Sequence, residues 1–190
     1  MKKVLFIFFI SLSNYSYSLE KLDDCYSVSY GNPIAENKIT SYYSFSCPHC
    51  VALFREEFID LKKQCMDTEK VYFTFHPIPA DLLTVQGMVC LENLSDVKKQ
   101  IFLEALLAEV DLADQEYSAI LMKKAMEILG HPVPLLTDRE YLSKTNAFNA
   151  AYKFVKQEDS ISEVPTVEVN GILYKKEIPS KDFIKGIITK

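Results

Sequence analysis

Where a β-type run gives way to a helical stripe, this chain places two cysteines three positions apart, in Cys47-Pro48-His49-Cys50. Residues 38–46, KITSYYSFS, are β-branched and aromatic and predict a strand. From Pro48 the period changes. Val51, Phe54, Phe58, Leu61 and Cys65 recur at spacings of three and four, the apolar stripe of one helix. A strand that turns directly into a helix fixes where the cysteines stand. Cys47 falls at the N-cap and Pro48 at the first helical position, where a missing amide costs nothing. Cys50 follows within the first turn, near enough to Cys47 for a disulfide that forms and breaks.

That placement has chemical consequences. A helix start presents free amides and about half a positive charge, which favours a thiolate. Cysteines so placed have pKa values of roughly 3.5–7.5. His49 shares the turn and can add a hydrogen bond or, when protonated, a charge; a solvated histidine without a role is the plain alternative. A pair stabilised as the ionised dithiol makes a strongly oxidising disulfide. The residues therefore lean towards donating disulfides to other proteins. An inert structural crosslink stays open. A zinc site needs four ligands, and Cys65, Cys90, His76 and His131 are scattered along the chain, so neither metal nor other cofactor is expected.

The elements around the motif can be read in the same way. Residues 25–31 (CYSVSYG) and 70–79 (KVYFTFHPIP) predict strands, the second stopped by two prolines. Residues 81–158 read as helical, with one stripe at Ile101, Ala105, Ala108 and Leu112 and another at Tyr117, Leu121, Ala125, Ile128 and Leu129. Gly130 and Pro132 end the second, and Thr137 with Glu140 fits a capping box that opens a third helix through Tyr152 and Val155. Strands return at residues 165–174 (PTVEVNGILY), where Asn170-Gly171 signals a two-residue hairpin. A short helix from Ser180 finishes the chain. Just before the hairpin, Val164-Pro165 is expected to be cis, and the backbone of Val164 can then pair with an extended substrate segment.

The N-terminus speaks to compartment. Lys2 and Lys3 precede an apolar run over residues 4–10, and Ser16 and Ser18 fit a cleavage site, so residues 1–18 predict a secretory signal peptide. The run is well short of the roughly 20 residues that cross a bilayer. Removing the two lysines takes the formal charge from −5 to −7 (19 basic residues against 26 acidic), and no basic cluster marks nucleic acid as a partner. Hydrophobic residues at 48% and charged residues at 25% suit a globular chain with a real core. All five cysteines, Cys25, Cys47, Cys50, Cys65 and Cys90, lie in the part expected to be exported, and an odd number leaves one over in an oxidising compartment.

At FSCPHC and VPTVEVNG the chain resembles the DsbA family, exported bacterial thiol:disulfide oxidoreductases. The order of elements resembles the thioredoxin layout with a helical insertion. The resemblance implies an α/β fold with a thioredoxin-like domain from residues 19–80 and 160–190, and an inserted helical subdomain over 81–159. It implies that Cys47 is the exposed, attacked sulfur, Cys50 its buried partner, and His49 the residue that tunes Cys47. Val164 and Pro165 would face the disulfide. Reduced or unfolded secreted proteins would be the substrates in the periplasm, and a DsbB-like, quinone-linked membrane protein would reoxidise the pair. A monomer is expected. DsbA proteins commonly carry a buried acid on the strand before the motif and a lysine on the next, where this chain has Ser41 and Thr74. The extra cysteines also depart from the family pattern. A structural Cys65–Cys90 bridge is expected, with Cys25–Cys65 as the competing pair and three buried thiols as the plain alternative. Other functions stay open: a disulfide reductase or isomerase using the same residues, and a non-catalytic thioredoxin-like binding module.

Overall fold

The computed structural model describes residues 24–134, 136–156, 161–175 and 181–188, apart from several side chains at helix ends, that of Cys65 among them. The signal peptide expected over residues 1–18 lies outside the described residues. After a short 3₁₀ turn at Asp24–Tyr26 come β1 (Val28–Gly31) and β2 (Asn37–Tyr43). Helices α1 (Pro48–Leu53) and α2 (Ile59–Thr68) follow, joined by a π-helical turn at Phe54–Phe58, and lead to β3 (Val71–Pro77). Five helices come next: α3 (Leu82–Leu91), α4 (Asp96–Glu109), α5 (Gln115–Ile128), α6 (Arg139–Leu142) and α7 (Asn146–Lys156). The hairpin β4 (Thr166–Val169) and β5 (Ile172–Lys175) and then α8 (Lys181–Ile188) end the described chain.

One five-stranded sheet runs β1-β3-β2-β4-β5. β2 and β3 are parallel, which requires a crossover, and α1–α2 supply it. β4 runs antiparallel to β2, with Tyr42 opposite Thr166. That register puts the start of β4 beside the end of β2, so Val164-Pro165 is delivered to the start of α1. The β4–β5 turn has positive φ at both Asn170 (50°) and Gly171 (85°), as the Asn-Gly dipeptide predicts.

The first helical stripe is buried as expected at Val51, Phe54, Phe58 and Leu61. Phe54 and Phe58 stack with ring centroids 4.5 Å apart, and Phe58 meets Phe75 of β3 edge-on at 5.1 Å. Arg55, projecting from the π turn, donates to the carbonyls of Leu107 (2.9 Å) and Val110 (2.8 Å) at the end of α4. A cation there satisfies carbonyls that the helix itself leaves over.

The helical region departs from the sequence reading in phase. On α4, Ile101, Ala105 and Ala108 face solvent, and Phe102, Leu103, Leu106 and Leu107 are buried. On α5, Tyr117 and Ile128 are exposed, Leu121, Ala125 and Leu129 are half-buried against the core, and Ala119, Met122 and Met126 are buried. One residue is 100° around a helix, so a stripe built from alanines and a tyrosine picks the wrong face when neighbouring positions are equally apolar. α4 packs against α5, β1 and the π turn, and α3 sets the preference on α5. Every residue from Leu83 to Leu91 is buried, and α5 and α7 pack against it. The expected third helix is also two. Asp138, not Thr137, caps α6 by accepting from the amides of Glu140 and Tyr141, and Thr145 accepts from the Phe148 amide to open α7. Tyr152 is exposed, and the Val155 side chain lies outside the described residues.

Candidate active site

Cys47 takes an extended conformation (φ −81°, ψ 113°) at the N-cap of α1, with Pro48 at the first helical position. Its sulfur accepts from the Cys50 amide at 3.4 Å, and its carbonyl accepts from the Val51 amide at 3.0 Å. The cysteine thus does the work of a capping serine. Cys47 is partly exposed, Pro48 and His49 are exposed, and Cys50 is buried. Both cysteines carry free thiols in this structure.

The two sulfurs are electrostatically unequal. The Cys50 thiol, hydrogen-bonded to the Cys47 sulfur, lowers the Cys47 pKa from 9.0 to about 6. The backbone amides of Cys50 and His49 and the charge on His49 act in the same direction, and partial burial opposes them. Cys50 moves the other way. Its bond to Cys47 and its burial push the thiol far above its ordinary range. At neutral pH the arrangement therefore holds a thiolate at the accessible position and a proton on the buried one.

Across from Cys47 stands the Val164-Pro165 segment, whose peptide bond is cis. Cys47 Sγ lies 3.8 Å from the Val164 carbonyl oxygen, so motifs 117 residues apart meet at one sulfur. Pro165 is buried, and the Thr166 hydroxyl donates to the Glu163 carbonyl at 2.7 Å, which closes the turn into β4.

A further group of polar residues, not anticipated from sequence, lies behind the motif. Asp81 caps α3 by accepting from the Thr84 amide at 2.8 Å, and its other oxygen accepts from the hydroxyls of Ser44 (2.6 Å) and Thr84 (2.8 Å). The Ser44 hydroxyl accepts from the Ser46 amide at 3.0 Å, and the Thr84 hydroxyl accepts from the Phe45 amide at 3.0 Å. The turn before Cys47 is thereby pinned to the start of α3. An aspartate followed by an apolar run was a legible cap signal; its reach to Ser44 depends on the tertiary fold. Phe45 adds to the pinning, because its ring lies where a Cβ on Gly87 of α3 would come within 2.3 Å.

Ser41 is buried opposite Phe75, whereas Thr74 bonds the Ser29 hydroxyl at 3.0 Å. Adjacent residues on β3 point to opposite faces, so Ser41 and Thr74 are on different sides of the sheet and do not pair. The Tyr43 hydroxyl is buried with no hydrogen-bond partner among the described residues. Cys90 is a fully buried free thiol, and burial raises its pKa. The other half of the expected Cys65–Cys90 bridge, the Cys65 side chain, lies outside the described residues. Cys25 is exposed, which departs from the reading of three buried thiols. Among the described residues no group of three or more His, Cys, Asp and Glu side chains could hold a metal ion, and no helix is long and apolar enough to cross a membrane.

Comparison with solved structures finds the same architecture. Oxidised BdbD from Bacillus subtilis superposes with a TM-score of 0.67 at 19% identity, over 87% of this chain and 92% of that one. α-DsbA1 from Wolbachia pipientis gives 0.63 at 16% identity, over 86% and 89%. A protein-disulfide isomerase from Novosphingobium aromaticivorans gives 0.60 at 16% identity, over 87% and 98%. At such identities these likenesses concern the fold. No curated protein sequence matches the chain. The sequence family described as thioredoxin (Thioredoxin_4) matches residues 24–189. The chain therefore belongs to the thioredoxin family, and its fold is that of the DsbA-type proteins it resembles.

Proposed function

We propose that this protein is an exported thiol:disulfide oxidoreductase that introduces disulfides into other proteins through Cys47 and Cys50. One observation carries the reading: an accessible sulfur held near a pKa of about 6 at the start of a helix, with a buried, protonated partner three residues on. In the oxidised enzyme a substrate thiolate attacks Cys47 Sγ. The Cys47–Cys50 bond breaks, and Cys50 leaves and takes up a proton. The substrate's second thiolate then attacks its own sulfur in the mixed disulfide. Cys47 departs as the thiolate its surroundings stabilise. Two electrons have passed to the enzyme, and the substrate holds the new disulfide.

Val164 and Pro165 border Cys47 on the side from which an extended substrate would add to the backbone. His49 contributes its amide and its charge to the Cys47 thiolate, and Pro48 starts the helix without an unsatisfied donor. Reduced secreted proteins are the substrates on this reading, the periplasm is the compartment, and a DsbB-like membrane protein coupled to quinone removes the electrons. The charged, apolar and small-residue sequence of positions 1–18 supports export. The two-part division of the mature chain and its monomeric state belong to the same proposal.

The equilibrium with glutathione tests the direction of exchange. An oxidase lies well towards the dithiol; a strongly reducing constant would make the chain a reductase or isomerase. For a binding module, Cys47→Ser with Cys50→Ser would leave the disulfides of the cell's exported proteins intact.

A further inference from the structure

The turn that carries Cys47 is held from outside the motif, by one side of α3. The Ser44 hydroxyl donates to Asp81 at 2.6 Å, the Phe45 amide donates to the Thr84 hydroxyl at 3.0 Å, and the Phe45 ring fills the space beside Gly87. Asp81, Thr84 and Gly87 recur every three positions, so the three anchors lie along one side of the start of the helix. Ser44 passes the anchoring on. Its hydroxyl accepts from the Ser46 amide at 3.0 Å, and its carbonyl accepts from the Cys47 amide at 3.3 Å. A continuous set of hydrogen bonds therefore runs from α3 to the backbone of Cys47. Ser44, Phe45 and Thr84 are all buried, so water does not replace a bond that is lost. The far end has a narrow requirement. Cys47 caps α1 with an extended backbone (φ −81°, ψ 113°), which brings its sulfur to 3.4 Å from the Cys50 amide.

We propose that Thr84 and Ser44 are positioning residues for Cys47: their hydroxyls tie the turn over residues 44–46 to α3 and so hold the Cys47 sulfur on the free amide at the start of α1. Neither hydroxyl touches the reacting atoms. A bond between an amide and an ionised sulfur is strong when aligned and weakens steeply when it is not. The helical region after β3 thereby governs how acidic Cys47 is. This rests on the exchange reading proposed above, which needs an ionised Cys47.

The test is the pH midpoint of Cys47 alkylation in the reduced mature protein, with the label located by mass spectrometry, beside urea unfolding of the same samples. Thr84→Val keeps the shape and removes the hydroxyl, which leaves the Phe45 amide without its partner. The acid dissociation constant of Cys47 is expected to fall about tenfold from a parent midpoint near 6. Thr84→Ser keeps a hydroxyl and is expected to stay within about threefold of the parent. A merely structural role would lower stability, as Arg55→Met should, and leave the midpoint in place. A Thr84→Val constant within about threefold of the parent, or a higher one, overturns the proposal. So does a Thr84→Ser variant that falls as far as Thr84→Val, because packing would then be the cause. Should Thr84→Val not fold, Ser44→Ala removes the bonds to Asp81 and the Ser46 amide and must give the same fall; an unmoved midpoint there overturns the proposal equally. A parent midpoint near 9 sinks the exchange reading and this proposal together. A parent near 6 with an unmoved Thr84→Val variant sinks this proposal alone.

Discussion

At Cys47 the chemistry is set by a handful of contacts. Its pKa falls from 9.0 to about 6 because donors converge on the sulfur, with the Cys50 thiol foremost. A group whose folded pKa is depressed stabilises the fold above its unfolded pKa and loses that contribution as pH falls through the folded value. The reduced protein is therefore expected to gain stability as pH rises from about 6 to about 9, and Cys47→Ser to lose this part of the dependence; denaturant unfolding of both across that window checks it. Tyr43 gives a second prediction. Its buried hydroxyl has no partner among the described residues, so Tyr43→Phe removes an unsatisfied group without opening a cavity. Stability should be unchanged or rise by up to about 1 kcal/mol, and a loss of that size would mean the hydroxyl is bonded after all.

Helix and turn positions were partly legible from sequence, for reasons that differ by element. The switch from β pattern to 3.6 period at Cys47 located α1 to the residue, because proline and the capping position leave little freedom there. The Asn-Gly dipeptide located the hairpin in the same way. Faces of α4 and α5 were not legible, since apolar residues occupy several sides and the surfaces they meet, β1 and the π turn for α4 and α3 for α5, decide which are covered. Asp81 could be read as a cap, but not as a neighbour of Ser44, 37 positions away. Two tests belong at this scale. Gly87→Ala gains helix propensity but drives a methyl into the Phe45 ring, so a net loss of about 1–2 kcal/mol is expected, together with slower exchange as the turn before Cys47 shifts. Arg55→Met removes two bonds to the end of α4 and should cost about 1–2 kcal/mol, with Cys47 acidity unchanged. Urea unfolding and alkylation rates measure these effects.

For the molecule as a whole, the sheet brings together two segments that the sequence holds 117 residues apart. The antiparallel register of β2 and β4 does this, and the helices between β3 and β4 supply Asp81 from behind. Fold and exchange are consequently coupled. Whatever stabilises the Cys47 thiolate stabilises the reduced protein against unfolding, and it makes the disulfide correspondingly oxidising. The reduced form is expected to withstand more denaturant than the oxidised form at neutral pH, an order opposite to that of a structural crosslink. Greater stability of the oxidised form would favour the reductase reading.

The most direct measurement is the titration of Cys47 in the reduced mature protein, by thiolate absorbance and by alkylation rate with the label located by mass spectrometry so that Cys25, Cys50, Cys65 and Cys90 are counted separately. A midpoint near 6 that disappears in Cys47→Ser is the expected result. A midpoint near 9, the value of an unperturbed thiol, would contradict the claim that the start of α1 and its partners hold this sulfur ionised.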